Sequence, residues 1–131
     1  MPVDVIWDDE VHSLMRYVFD GSWEWDEFRP IVDKADAMSR TVSHRVDIIA
    51  DLTNSARLPV QNAFPTLKYM AELTADNVLE GLFIVTGGGS FVAGLVQTFK
   101  RVYPNLGSTP YTASTLEDAH QMIAADRSQQ G

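Results

Sequence analysis

Three short stretches of this chain bring together the residue types that could do chemistry: Asp51-Leu52-Thr53-Asn54-Ser55, Thr86-Gly87-Gly88-Gly89-Ser90, and the acidic Asp8-Asp9-Glu10 with His12. In the glycine run, missing side chains let the backbone approach a ligand, and a helix start after it would turn free N–H groups toward an anion. The run lacks the spaced glycines of a dinucleotide fingerprint and the Gly-Lys-Ser/Thr ending of a phosphate loop, so a plain connection is the competing reading. In the first stretch a carboxylate is followed by three small polar side chains, and a buried Asp must be hydrogen-bonded. Loop bracing therefore stands beside ligand binding or modification of Thr53 or Ser55. Arg57 is close enough in sequence to neutralise Asp51. The acidic turn could gather a hard cation, against the plainer reading of a solvated turn. None of His12, His44 and His120 has metal-ligand spacing, and none is near the Asp51–Ser55 stretch to make a nucleophile and base pair there. The expectation is no catalytic residue, no metal and no cofactor. Trp23 and Trp25 either line a pocket or partner surface, or pack against a sheet.

The elements that must position these groups follow from periodicity. VDVIWD at 3–8 and LMRYVFD at 14–20 read as strands, joined by too few residues for a parallel crossover and hence antiparallel. Trp25, Phe28, Val32, Ala35, Met38 or Ser39, and Val42 recur at helical spacing, with Pro30 either following a start near Asp26 or kinking the helix. Val46–Leu52 and Leu82–Thr86 are nearly continuous apolar runs, which predicts parallel neighbours at the centre of a sheet. A second helix is expected from about Val60 to Leu73. A third opens at the glycine run with Ser90 as its cap, carries a stripe including Phe91, Val92, Leu95, Val96 and Phe99, and stops at Pro104. Thr109–Ala113 reads as an edge strand. A capping box at Ser114–Glu117 starts a last helix with Leu116, Ala119, Met122 and Ile123 inward, and the tail from Asp126 should fray. The prediction is one α/β domain over residues 1–131: a mixed, mostly parallel five-stranded sheet with about four helices, in the order β-β-α-β-α-β-α-β-α. Ligands of such sheets bind beyond the carboxyl ends of the strands, at the loops 20–25, 51–58 and 86–90.

Composition narrows the partners. At 131 residues, with 10 basic against 18 acidic side chains and a net charge of −8, the chain has no basic cluster for nucleic acid or an anionic membrane. It has no cysteine, in keeping with a cytoplasmic protein, and no apolar run long enough to insert into a membrane.

With Asp51-Leu52-Thr53 closing the third strand, a Gly21 turn before the first helix, and a last helix opening at Glu117-Asp118-Ala119, the layout resembles the STAS-like superfamily, in its small bacterial branch related to anti-sigma factor antagonists. In the phosphorylation-switched members an Asp-Ser pair opens the helix after that strand, the Ser accepting phosphate. Here the place holds Leu58, Pro59, Val60 and Gln61, so the switch does not carry over. The resemblance implies a regulatory or binding domain without catalysis. Some relatives in the wider fold group hold lipids between sheet and helices, which keeps a small apolar ligand open.

Two functions follow as expectations. The first is a non-enzymatic module that binds a protein partner. The second is a small-molecule or lipid binder with its site at Asp51, Thr53, Asn54, Ser55, Gly87, Gly88, Gly89 and Ser90. A pocket above about 300 Å3 beside Gly87–Ser90 would mark the second, and a filled core with an exposed apolar patch the first. The edge strand at 109–113 makes a homodimer an added expectation.

Overall fold

The computed structural model describes residues 2–56, 59, 63–105 and 110–130. Its elements run β1 (Val3–Trp7), β2 (Leu14–Gly21), α1 (Trp25–Ser39), β3 (Asp47–Ser55), α2 (Ala63–Leu73), α3 (Asp76–Leu79), β4 (Phe83–Thr86), α4 (Gly89–Val102), β5 (Pro110–Ala113) and α5 (Leu116–Gln130). The five strands lie in chain order, β1-β2-β3-β4-β5. β1 is antiparallel to β2, and every later pair is parallel. The α/β class, the mixed five-stranded sheet and the central place of the two apolar runs are as the sequence predicts; α3, a single turn, is a fifth helix beyond the expected four.

Several boundaries differ for physical reasons. β3 continues through Thr53, Asn54 and Ser55, which the sequence places in a loop. After a register shift between Val18 and Asp20, β2 pairs its Asp20 and Gly21 with Asn54 and Ser55, and the ladder is extended by that partner rather than by apolar content. α1 starts at Trp25, because Glu24 and Glu27 close a reciprocal capping box. Pro30 sits on the exposed side of its second turn, where the carbonyl of exposed Asp26 that loses its N–H partner can turn to water. The cap of α4 is Gly88, not Ser90: Gly88 holds φ at +77°, in the left-handed region, and the helix begins one residue later. The side chains of Ser90 and Phe91 lie outside the described residues, as do Val60 and Thr109.

The C-terminal segment does not fray at Asp126. Asp126 meets Arg45 at 2.7 Å, and Arg127 Nε donates to Asp47 at 2.8 Å while its Nη2 donates to the Ser13 carbonyl at 2.9 Å. Asp47, at the start of β3, has no exposed surface; its Oδ1 accepts from Arg45 Nε, Arg45 Nη2 and the Leu82 N–H. This clamp ties α5 and β4 to the head of the central strand.

Alternation along the strands separates two cores. Met15, Tyr17 and Phe19 of β2, with Ile48, Ala50 and Leu52 of β3, point to one face together with α1 and Val92 of α4. Leu14, Ile49 and Ile84 point to the other, which α5 covers with Ala119 and Ile123.

Candidate functional site

The face shared with α1 carries most of the aromatic side chains. Tyr17 meets Phe28 edge-on at 5.1 Å, Phe19 lies 4.6 Å from Trp23, and Trp23 lies 4.8 Å from Trp25. Both tryptophans are buried, and both indole N–H groups are spent on anchors: Trp23 Nε1 donates to Ser55 Oγ at 2.8 Å and Trp25 Nε1 to the Pro59 carbonyl at 2.7 Å. They pack, the plainer of their two sequence readings, and in packing they wall a cavity.

α2 is fastened to its neighbours at its flanks. Tyr69 Oη donates to Asp33 of α1, Arg29 lies 4.0 Å over the Tyr69 ring, Arg40 Nη2 reaches the Leu73 carbonyl at 3.2 Å, and Phe64 meets Phe99 of α4 edge-on at 6.0 Å. Between α1, α2, α4 and the sheet lies a cavity of about 140 Å3. Its floor is Tyr17, Ala50 and Val85, and its roof includes Leu67, Met70, Leu95 and Val96. Those four roof side chains pack against the core and are only partly buried. The space opens partway to solvent, and its volume suits a guest of about benzene size.

The lining is carbon apart from a few groups. Asp36, Ser39 and Thr74 are the principal polar ones. Ser39 Oγ donates to the Asp36 carbonyl at 2.8 Å and Thr74 Oγ1 to the Met70 carbonyl at 3.0 Å. The Asp36 carboxylate is paired with Arg40 Nε at 2.9 and 3.0 Å. Burial, with the Asp36 charge added to it, pushes the Tyr17 phenol far above its ordinary value, so it stays a neutral O–H.

The residues singled out in the sequence do converge, but their polar atoms are used on one another. An added Cβ on Gly87 would come within 2.8 Å of the Thr53 nitrogen, and one on Gly88 within 2.1 Å of Val92 Cγ2. The glycines thus admit the chain's own backbone and side chain. Asp51 accepts from the Thr53 N–H at 3.0 Å and from Thr86 Oγ1 at 3.4 Å, and pairs with Arg16 at 3.2 Å. Burial raises this carboxyl, yet the Thr53 hydrogen bonds and Arg16 outweigh it and hold it below the ordinary value. Arg16 takes the role expected of Arg57, which lies outside the described residues. Thr53 and Asn54 are exposed, and Ser55 serves Trp23. Asp51 and Thr86 lie on the α5 face of the sheet, away from the cavity.

In the acidic turn, Asp9 accepts from the Ser13 and Leu14 N–H groups at 2.9 and 3.1 Å and from Ser13 Oγ, while Asp8 faces Arg16 at 3.4 Å and His120 at 3.3 Å. Among the described residues no three acidic or imidazole groups gather around a common point for a metal.

The sequence reading missed Tyr17, Ser39 and the cavity. A small Ala50 in the middle of a strand flanked by aromatic faces was the available signal, but periodicity reports which face a side chain takes and not the volume left over it. No protein-family model, curated protein or solved structure matches this chain. Among the described residues no helix is long and apolar enough to cross a membrane.

Proposed function

We propose that this chain is a non-enzymatic binding domain whose site is the cavity between the sheet and α1, α2 and α4, and whose ligand is a compact apolar molecule. The observation that carries this reading is the unfilled 140 Å3 under a roof of partly buried Leu, Met and Val; it is smaller than the roughly 300 Å3 that would mark a ligand site beside Gly87–Ser90, and its described lining does not include that loop, so the guest it suits is small. The walls of this space present carbon to whatever enters it, so an apolar guest gains by leaving water for them.

The protein-partner reading has less support. The core is not filled, and among the described residues the exposed large apolar ones, Ile6, Val11, Leu79, Val102 and Tyr111, come singly from five different segments of the chain. The STAS-like resemblance accords with a ligand held between sheet and helices, and it remains part of this proposal. In this reading the site lies beneath the helices rather than on the loops at the strand ends.

The test is a two-dimensional amide titration with isopropylbenzene, on the parent and on Ala50→Leu, which fills the floor. Saturable shifts at Ala50, Leu67, Val85 and Leu95, absent from α5 and abolished in Ala50→Leu, are expected. No saturable shift in the parent, or equal binding by the filled variant, would overturn the reading.

A further inference from the structure

Tyr17 departs from the rest of the cavity wall. Its side chain is 2% exposed, it lines the cavity, and its hydroxyl has no hydrogen-bond partner among the described residues. The hydroxyl oxygen is not itself sealed off, since among the described residues only Arg16 Nε is a buried side-chain polar atom without a hydrogen-bond partner; the Tyr17 O–H opens onto the cavity and can donate to whatever occupies it. No bond from it is formed to the other polar groups of the lining: Ser39 Oγ and Thr74 Oγ1 donate to backbone carbonyls, the Asp36 carboxylate accepts from Arg40, and none of the three accepts from Tyr17. The Trp23 and Trp25 N–H groups are likewise spent on Ser55 and Pro59. Tyr17 is therefore the donor left over on a wall that is otherwise satisfied or apolar.

We infer that the ligand is a neutral amphiphile, an apolar body with one acceptor oxygen that takes the Tyr17 O–H hydrogen bond. The inference rests on the cavity being a binding site. Neutrality follows from the charges at hand. The Asp36 carboxylate lines the same cavity, and the Arg40 side chain that could offset an anion is already engaged by it. A carboxylate guest would lose its water and meet a like charge in an apolar space, whereas a ketone, ester or ether oxygen loses little and gains the hydrogen bond.

Three probes of nine non-hydrogen atoms each separate the possibilities: isopropylbenzene, acetophenone and benzoate. The parent is expected to bind the first two. Tyr17→Phe, which keeps the ring and its packing on Phe28, should weaken acetophenone about 3- to 10-fold, in line with one net hydrogen bond, and leave isopropylbenzene within about 2-fold. Benzoate should bind at least about 10-fold more weakly than acetophenone. Independently of any variant, the 13Cζ resonance of Tyr17 in the parent should move with acetophenone and much less with isopropylbenzene. If neither neutral probe binds the parent, the cavity reading itself fails and this inference with it. If both bind but Tyr17→Phe weakens them equally, or the Tyr17 13Cζ shift is the same for both, the cavity stands and the hydrogen bond is refuted. Benzoate binding as tightly as acetophenone would refute neutrality.

Discussion

The two faces of the sheet are built from the same strands and solved differently. On the α5 face, Leu14, Ile49 and Ile84 meet Ala119 and Ile123 of one helix, and a buried ion-pair clamp fixes that helix at its far end. On the opposite face three helices and a run of aromatic rings enclose more surface and still leave a cavity. A single helix whose inward residues are aliphatic can settle onto a sheet until the gap closes. Large rings anchored at both ends by indole hydrogen bonds cannot, because closing the gap would break Trp23–Ser55 or Trp25–Pro59. The void thus belongs to the face with more apolar material, not to the one with less.

The most severe way to break this arrangement is on the close-packed face. Ile49 is fully buried in the central strand, and Ile49→Asp would leave a carboxylate there without a partner. The expected loss is roughly 4 kcal/mol or more, and a melting temperature about 10 °C or more lower. Thermal denaturation followed by circular dichroism checks it, and a melting point near the parent's would show that α5 does not cover this strand.

Next in size is the clamp. Asp47→Asn keeps an acceptor for the Leu82 N–H but removes the charge that faces Arg45 and Arg127, leaving Arg45 on Asp126 and Arg127 on the Ser13 carbonyl without the carboxylate that joins them. The expected destabilisation is about 3 kcal/mol. Hydrogen exchange should accelerate first in α5, from Ala119 onward, while α1 keeps its protection. Uniform acceleration over all helices would mean that the clamp does not hold α5 in particular.

Sequence periodicity disclosed the element order, the central strands and the inward side of α5, because these depend only on which residues are apolar and at what spacing. It did not disclose the clamp. Asp47 stands inside an apolar run, and its partners lie two residues away at Arg45 and eighty away at Arg127, a pairing that only the fold creates. The three glycines were conspicuous and pointed to a ligand loop, yet two of them serve close approach to Thr53 and Val92. Ser55 was singled out for binding, and its bond goes to Trp23 because the β2 register shift carries the strand that far. A cavity is a difference between volumes, and no local pattern records it.

A matched pair of enlargements compares the faces directly. Ala119 on α5 is fully buried and Ala50 lines the cavity. Ala119→Leu must push α5 off the sheet and should destabilise by about 1–3 kcal/mol. Ala50→Leu places the same added carbons in empty space and should be neutral or stabilising by up to about 1 kcal/mol. Urea unfolding gives both values. Equal losses in the two variants would mean that the cavity has no room for added atoms.

The smallest effect, and the one that tells the faces apart chemically, is in pH. On the α5 face Asp51 is held below its ordinary value of 3.8 by the Thr53 hydrogen bonds and Arg16, against the opposing effect of burial. Its depressed folded value means that it contributes stability above pH 3.8, and that this contribution disappears as pH falls through the folded value. On the cavity face Tyr17 is raised above its ordinary 10.0 by burial and by Asp36. Its contribution is complete below pH 10.0 and declines as pH rises past that point, since the unfolded phenol then ionises while the folded one stays neutral. Asp51→Asn should therefore flatten the acid limb of a stability–pH profile and leave the alkaline limb alone, and Tyr17→Phe should do the reverse. Neither limb should vanish. Asp4 and Asp9 are also lowered, the first chiefly by Lys34 and the second by Ser13 and Leu14 hydrogen bonds that outweigh burial, and Tyr69 is raised by its bond to Asp33. Urea midpoints taken from about pH 2.5 to about pH 11 measure both limbs. An alkaline limb unchanged in Tyr17→Phe would show that the hydroxyl already reaches water, and would remove the physical basis for a partnerless donor in the cavity wall.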